Sequence, residues 1–344
     1  NKPTIDYLAA DGFTVNTDGT NSYSASLPAE ESGSFYNAVG NIVVDSMTFN
    51  EGISNDNTQG LEASDYSDAI TILQNKDEYV INVIAAPGLM YKFATHATVL
   101  NSLVSAAETR SDCIAIVDLV GYGESTAQVV AKAKELNSSY AASYWPWVQL
   151  SGGVGIQWAP ASCVVPGVYA FNDSAAAPWF APAGLVRGGI AGVIQAEQKL
   201  SRVQRDTLYA GKVNPIATFP GQGIAVFGQK TLQTKASALD RVNVRRLLIA
   251  LKKFLGDQAS NLVFEQNTIA TRNRFLANVN PYLESVVQRQ GLFAYRVVMD
   301  DTNNTADVVD RNQLVGQVFI QPAKTAEFIV LDFTIEPTGA TFGQ

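Results

Sequence analysis

Apolar and polar positions along the chain change register several times. Residues 1–75 are rich in Asn, Asp, Ser, Thr and Gly, with short apolar pieces such as Ile42-Val43-Val44, a pattern of loops and short strands. From Tyr79 to Ile84 an apolar run precedes Ala-Ala-Pro-Gly, which predicts a strand buried on both faces and a turn. Val99, Leu100, Leu103 and Val104 then fall at helical spacing. Cys113 to Leu119 predicts a second buried strand, Ser125 to Leu136 an amphipathic helix, and Tyr140 to Leu150 a third strand around Pro146. Strands alternating with helices imply a mostly parallel sheet covered by helices.

Ala159 to Leu208 reads as helical and irregular, broken by Pro166, Pro178 and Pro182. Val213 to Phe219 and Ile224 to Phe227 predict two short strands about a Pro220-Gly221 turn. In the helix expected from Val242 to Phe254, Val244, Leu247, Leu248, Leu251 and Phe254 share one face. A second helix covers about Thr268 to Gln288. The end turns to strands at Phe293 to Met299, Leu314 to Ile320 and Glu327 to Ile335. The fold class is therefore α/β (α+β overall), with an acidic polar segment before the new register that starts at Tyr79.

Composition allows this. With 344 residues and 47% hydrophobic content, the chain can build about two domains with a sizeable core. No run reaches the roughly 18 apolar residues of a membrane span. The chain starts at Asn1, without Met or a charged-then-apolar leader, which suggests a fragment or a processed product. Cys113 and Cys163 both lie in apolar sequence and read as buried, reduced thiols. The net charge of −8 conceals an asymmetry. Residues 1–80 hold thirteen acids and two bases, and the remainder holds nineteen acids and twenty-two bases. From Arg241 to Arg296 there are nine bases against three acids, a split that suggests a chain with opposite faces turned to different neighbours.

Several motifs invite a chemical reading. Gly223 to Thr231 gives Gly-x4-Gly-Gln-Lys-Thr, one residue too long for a phosphate loop, and its middle is apolar strand. Gly121-Tyr-Gly-Glu-Ser-Thr has the strand-to-helix context of a dinucleotide turn but lacks the third glycine. A hydrolytic triad has to use His96, the only histidine, with Asp77 and Ser125 as conceivable partners in subtilisin order; no Gly-x-Ser-x-Gly elbow is present. One His and two isolated Cys give no metal-ligand spacing. The bases Arg241, Arg245, Arg246, Lys252 and Lys253 suggest a stripe on one helix. Yet the acidic chain carries no nucleic-acid motif, so a basic helix that meets an acidic protein partner is the preferred reading. Arg245 and Arg246 can equally pair internally with acids such as Glu265.

Six blocks in order carry a resemblance: Val-Ile-Ala-Ala-Pro-Gly (83–88); Val-Pro-Gly-Val-Tyr-Ala-x-Asn-Asp with Pro-Trp-Phe-Ala-Pro-Ala-Gly (165–184); Asn-Pro-Ile with Gly-Gln-Gly-Ile-Ala-Val-Phe-Gly-Gln-Lys-Thr-Leu (214–232); Val-Asn-Val-Arg-Arg-Leu-Leu (242–248); Val-Phe-Glu-Gln-Asn (263–267); and Gln-Pro-Ala-Lys-Thr-Ala-Glu-Phe-Ile-Val-Leu (321–331). From Tyr79 to about Ile335 the chain resembles contractile phage tail sheath proteins, and the Asp301-Thr-Asn-Asn-Thr turn resembles those of T4-like phages. Two departures are the family's Glu-Pro-Asn, here Glu265-Gln266-Asn267, and a following helix without Leu-Trp.

The resemblance implies a subtilisin-like central domain over 79–235 without its chemistry, a smaller C-terminal α/β domain over 236–344 facing an inner tube, and an acidic N-terminal segment over 1–78 as the remnant or edge of an outward-facing insertion. It also implies a structural subunit of stacked hexameric rings that contract, with no enzyme activity, cofactor or metal. The implied partners are other copies, the tail tube protein, and baseplate and terminator proteins, with neither nucleic acid nor membrane insertion. The implied location is the virion, after assembly in the host cytoplasm. Arg241, Arg245, Arg246, Lys252 and Lys253 are then candidates for a contact with the tube or with a neighbouring subunit.

Overall fold

The structure, a computed structural model, describes residues 65–152 and 155–327 together with short pieces before them at 14–15, 21–22, 50, 53–55, 57–58 and 61–62. It forms two compact units, Asn1–Glu265 and Gln266–Gln344.

The first unit is built on a parallel sheet. Helix α1 (Asp65–Leu73) precedes strand β1 (Val83–Met90), helix α2 (Ala94–Arg110) and strand β2 (Ile114–Asp118). Helix α3 (Thr126–Ala133) and the short strands β3 (Ala141–Ala142) and β4 (Tyr144–Trp145) follow. β1 pairs in parallel with β2, and β2 with β3. All five residues of β2 are buried, as expected of a strand covered on both faces. Their side chains alternate: Ala115 and Val117 join a cluster with Leu100, Leu103 and Val129, and Ile114 and Ile116 join the opposite one. Ser125 begins α3 with a capping box to Gln128, so the polar residues expected at that helix start satisfy its first amides.

The first expected strand is displaced. Tyr79 to Asn82 lies outside the sheet, and β1 runs on through the Ala-Ala-Pro-Gly segment read as a turn. The pairing with β2 slips between Ala85 and Met90, where Pro87 has no N–H and Gly88 sits at φ 98°. β1 is an edge strand, where such an interruption is tolerated.

Past Trp145 the expected single strand is cut at Pro146. Strand β5 (Val148–Gly152) leaves the parallel sheet and pairs with β6 (Gly155–Ala159) in a separate antiparallel meander. Helices α4 (Val165–Ala175) and α5 (Gly184–Arg187) follow, then strand β7 (Val193–Ala196), an unexpected third member of that meander. Helix α6 (Arg202–Ala210) leads to β8 (Asn214–Phe219), which pairs in parallel with β4 in another three-stranded sheet, and β9 (Gly223–Val226) forms the antiparallel edge of that sheet. Helix α7 (Val242–Ser260) ends the unit; with α4, Tyr144 and Ile216 it supplies the core on the second face through Val242 and Ile249.

The second unit is smaller. Helix α8 (Ile269–Gln288) is capped by Thr268, whose side chain accepts from the Thr271 N–H. Strand β10 (Leu292–Val298), helix α9 (Ala306–Asp310) and strand β11 (Gln317–Pro322) follow, with β10 and β11 antiparallel. Phe275, Val279, Leu283, Val286 and Leu292 are buried. The polar turn is fixed by Asn304, whose amide donates to the Asp300 and Val315 carbonyls while its oxygen accepts the Val315 N–H at 2.8 Å. The expected strand over Glu327 to Ile335 and the Ile42-Val43-Val44 piece lie outside the described residues.

Cys113 is buried and its thiol is pushed up to about 11, mainly by burial, whereas Cys163, expected inside, is exposed at the end of a short helical turn. One buried acid went unforeseen. Asp118, at the C-terminal end of β2, accepts from the Ser162 hydroxyl and from its N–H at 3.2 Å. Burial pushes its carboxyl up to about 7 against those two hydrogen bonds.

A carboxyl whose folded pKa is raised contributes stability that is complete below its unfolded value and is lost as pH rises through about 7. The protein is expected to gain up to on the order of 4 kcal/mol from this group between pH 8 and pH 4. Asp118→Asn, which stays neutral, should be the more stable form at pH 8 and lose that advantage at pH 4. Urea denaturation of both proteins across this range checks it, and parallel pH profiles would contradict it.

Candidate assembly surface

The five bases foreseen on one helix separate into an interior and an exterior group. The first turns of α7 are buried all round, from Val242 to Leu247. Arg246 points inward and makes a two-pronged ion pair with Asp173 on α4, at 2.8 and 2.5 Å, while its guanidinium lies 4.5 Å from the Tyr169 ring centre. Its side chain is 5% exposed, and that of Asp173 is 28% exposed. The Tyr169 hydroxyl meets that of Tyr144 on β4 at 2.5 Å, and burial holds the Tyr169 phenol up at about 12. Arg245 turns the other way. It lies 4.0 Å from the Tyr140 ring centre and donates to the Ser139 hydroxyl. Burial lowers its pKa.

The internal acid is thus Asp173 rather than Glu265. Arg241, at the helix start, is ion-paired with Asp240 at 2.8 Å. Only Lys252 and Lys253 among the five are exposed, on the turn where α7 leaves the core. Beside them an open pocket of about 310 Å³ is lined by Arg246, Asp173, Lys253, Phe254 and Asp257 together with Pro178 and neighbours.

The sequence blocks meet in this region. Asn243 donates to the Trp179 carbonyl at 3.3 Å, tying the Val-Asn-Val-Arg-Arg block to Pro-Trp-Phe. Asn172, fully buried, donates to the carbonyls of Ala177 and Phe180 and closes the loop after α4. Asn214 donates to the Ser143 and Lys230 carbonyls and accepts the Lys230 N–H, so it clasps three segments. Gly228 is required by close approach: a Cβ there would stand 2.9 Å from Pro215 and 3.0 Å from Asn214 Oδ1.

The same geometry assigns the rival motifs to packing. Gly223 to Val226 is strand, and Lys230 donates to the Tyr209 carbonyl and lies over that ring. The amide of Gly123 donates to the Glu197 carboxylate at 2.7 Å, so the one dinucleotide-like turn already holds an anion of its own. His96 is fully buried and accepts the Met90 N–H on Nδ1. Ser125 bonds its own helix start and the Asp77 amide bonds Asn75, so neither is joined to that imidazole. Among the described residues no cluster of His, Cys, Asp and Glu could hold a metal ion, and no helix is long and apolar enough to cross a membrane.

The sequence profile of the phage tail sheath protein central domain matches residues 59–232, and that of the phage tail sheath C-terminal domain matches residues 234–336. The chain belongs to the phage tail sheath protein family. The tail sheath protein of Vibrio phage KVP40 is 40% identical over 188 residues, which is 55% of this chain and 28% of that protein. The tail sheath protein of Enterobacteria phage T4 is 32% identical over 274 residues, covering 73% of this chain and 41% of that protein. The tail sheath protein of Salmonella phage ViI is 27% identical over 327 residues, covering 92% and 50%. This sheath chain thus spans at most half the length of these curated relatives. Among solved structures, the sheath complex in the contracted state of an extracellular contractile injection system (PVC) is 25% identical, with a TM-score of 0.64 over 77% of this chain and 74% of that one.

Helix α7, which falls in the C-terminal sheath profile, packs in the first compact unit with α4 of the central one. The buried Arg246–Asp173 pair is its polar anchor. Removing one partner of a buried pair leaves the other charge uncompensated. Asp173→Ala should therefore cost on the order of 3 kcal/mol, and Lys252→Ala should stay within about 0.5 kcal/mol. Chemical denaturation at neutral pH measures both. Equal, small losses would mean that Arg246 stays solvated when its carboxylate is gone.

Proposed function

We propose that this chain is a structural subunit of a contractile tail sheath. It polymerises as stacked hexameric rings around a tail tube and shortens to drive the tube through a host envelope, without enzymatic turnover. The observation that carries this reading is the tandem match to the central and C-terminal sheath domains, 59–232 and 234–336. The conspicuous polar side chains in those blocks are spent on packing, which suits a protein that works by changing neighbours. In this reading residues 1–78 are the edge of an outward-facing insertion. Residues 79–235 are a subtilisin-like central domain, and 236–344 face the tube. The location is the virion, after assembly in the host cytoplasm, with baseplate and terminator proteins as further partners. The sheath of a related contractile injection system is the alternative, favoured by the contracted PVC sheath complex among the similar folds; the curated relatives favour a phage tail.

Open strand edges fit such an assembly. Among the described residues β10 and β11 form a two-stranded sheet whose outer face shows Phe293 and Phe319, at 68% and 55% exposure. A two-stranded sheet with apolar residues on its free face gains from added strands, and neighbouring subunits that exchange terminal strands supply them. Contraction is then a rigid-body change between two packings with the strands left joined. Exposed Lys252 and Lys253 register the subunit against an acidic partner through salt-sensitive contacts, which release during contraction.

The full-length gene product expressed alone should form hollow cylinders of contracted diameter in negative-stain micrographs. The double change Lys252→Glu and Lys253→Glu should reduce assembly on tubes at physiological salt and leave folding intact. Monomers only, from the intact product, would remove the sheath reading; normal assembly of the double variant would remove the role of the two lysines.

A further inference from the structure

One cation outside the α7 region is held in an orientation that its own subunit does not use. Arg205 lies on α6, in the first turn after the Ser201 cap. Its guanidinium rests 5.1 Å from the Phe219 ring centre and 5.5 Å from that of Phe227. The two rings, from the end of β8 and the residue after β9, pack on each other with centres 5.0 Å apart. Among the described residues the guanidinium meets these two rings and no carboxylate or hydrogen-bond acceptor. Arg205 is half-buried, and Phe227 remains 44% exposed beside it.

A guanidinium carries five N–H donors in a flat fork that matches a carboxylate. Contact with aromatic faces is electrostatically favourable, leaves the N–H edge open and removes rotamer freedom before any partner arrives. Arg202, one helical turn earlier, and Lys199 are both exposed and extend the positive surface. Asp206 is the acid within this stretch, and it makes no ion pair with Arg205.

We infer that the Arg205 fork, braced by Phe219 and Phe227, is a receptor for a carboxylate from the acidic first eighty residues of a second copy of this chain. Charge complementarity selects that occupant. The first eighty residues hold thirteen acids against two bases, and the rest of the chain has more bases than acids. The acid surplus and this receptor thus lie in different segments of the sequence, so the acids of one copy are free to meet the receptor of another. The inference rests on the sheath reading only in taking a second copy as the neighbour.

The test uses two full-length variants. Arg205→Gln can supply acids but not receive them. A second variant, with all thirteen Asp and Glu of the first eighty residues changed to Asn or Gln, can receive but not supply. In sedimentation velocity at low salt, wild type should self-associate, and Arg205→Gln about tenfold more weakly, as for loss of a bidentate charged contact. Arg205→Lys should recover less than half of the difference, because an ammonium does not reproduce the flat fork. Mixed together, the two full-length variants should form a 1:1 complex that neither forms alone and that 0.5 M salt dissolves. Equal association of wild type and Arg205→Gln, a monomeric wild type, or no complex in the mixture would each overturn the inference. Unchanged thermal unfolding of Arg205→Gln separates this role from a structural one. Intact cylinders built from Arg205→Gln would sink the receptor and leave the sheath reading standing. Salt-sensitive dimers from a product that builds no cylinders would do the reverse.

Discussion

The arrangement of the first unit depends on one buried cation. Arg246 lies between the carboxylate of Asp173 and the ring of Tyr169, and it fixes α7 against α4 on one face of the parallel sheet. A charge inside a fold is tolerated when its partner and its hydrogen bonds are in place, and it penalises every arrangement in which they are not. The neighbouring contacts share this specificity. Asn243 reaches the Trp179 carbonyl, and Tyr169 meets Tyr144 on the sheet. Helix α7 is therefore held by directional polar contacts as well as by Val242 and Ile249.

This economy explains why the sequence offers so much apparent chemistry and so little of it is free. Gly228 allows backbone and ring to approach, Lys230 is taken up by Tyr209, and the amide of Gly123 holds Glu197. Even the lone imidazole is an acceptor for the Met90 N–H in a closed interior. Each residue that a motif search selects is spent on linking loops across the sheet. What remains for outside partners is charge at the surface and open strand edge.

The basic surplus is accordingly distributed by depth. Arg245 and Arg246 serve the interior, where a flat, delocalised cation can stack on Tyr140 and Tyr169. Lys252 and Lys253 stand in water two turns on. The helix stripe read as one surface is in truth a passage from core to solvent along a single helix.

The alternation of strand and helix, the buried strand at Ile114–Asp118, both long helices and the polar turn after Asp300 were legible in the chain, because hydrophobic period and capping residues act locally. So was the order of blocks that belongs to the sheath family. The fate of a residue such as Arg246 was not legible, since one arginine looks the same facing water or facing an aspartate seventy-three positions away. Nor could period alone assign Tyr140 to Leu150, a single apolar run that contributes to three sheets, the last of them after Pro146. It also placed the first strand four residues early, because an edge strand tolerates the proline and glycine that read as a turn. Local sequence determined which segments would be regular. Only tertiary structure decided which charges went inside, because burial is a property of the neighbours that folding brings.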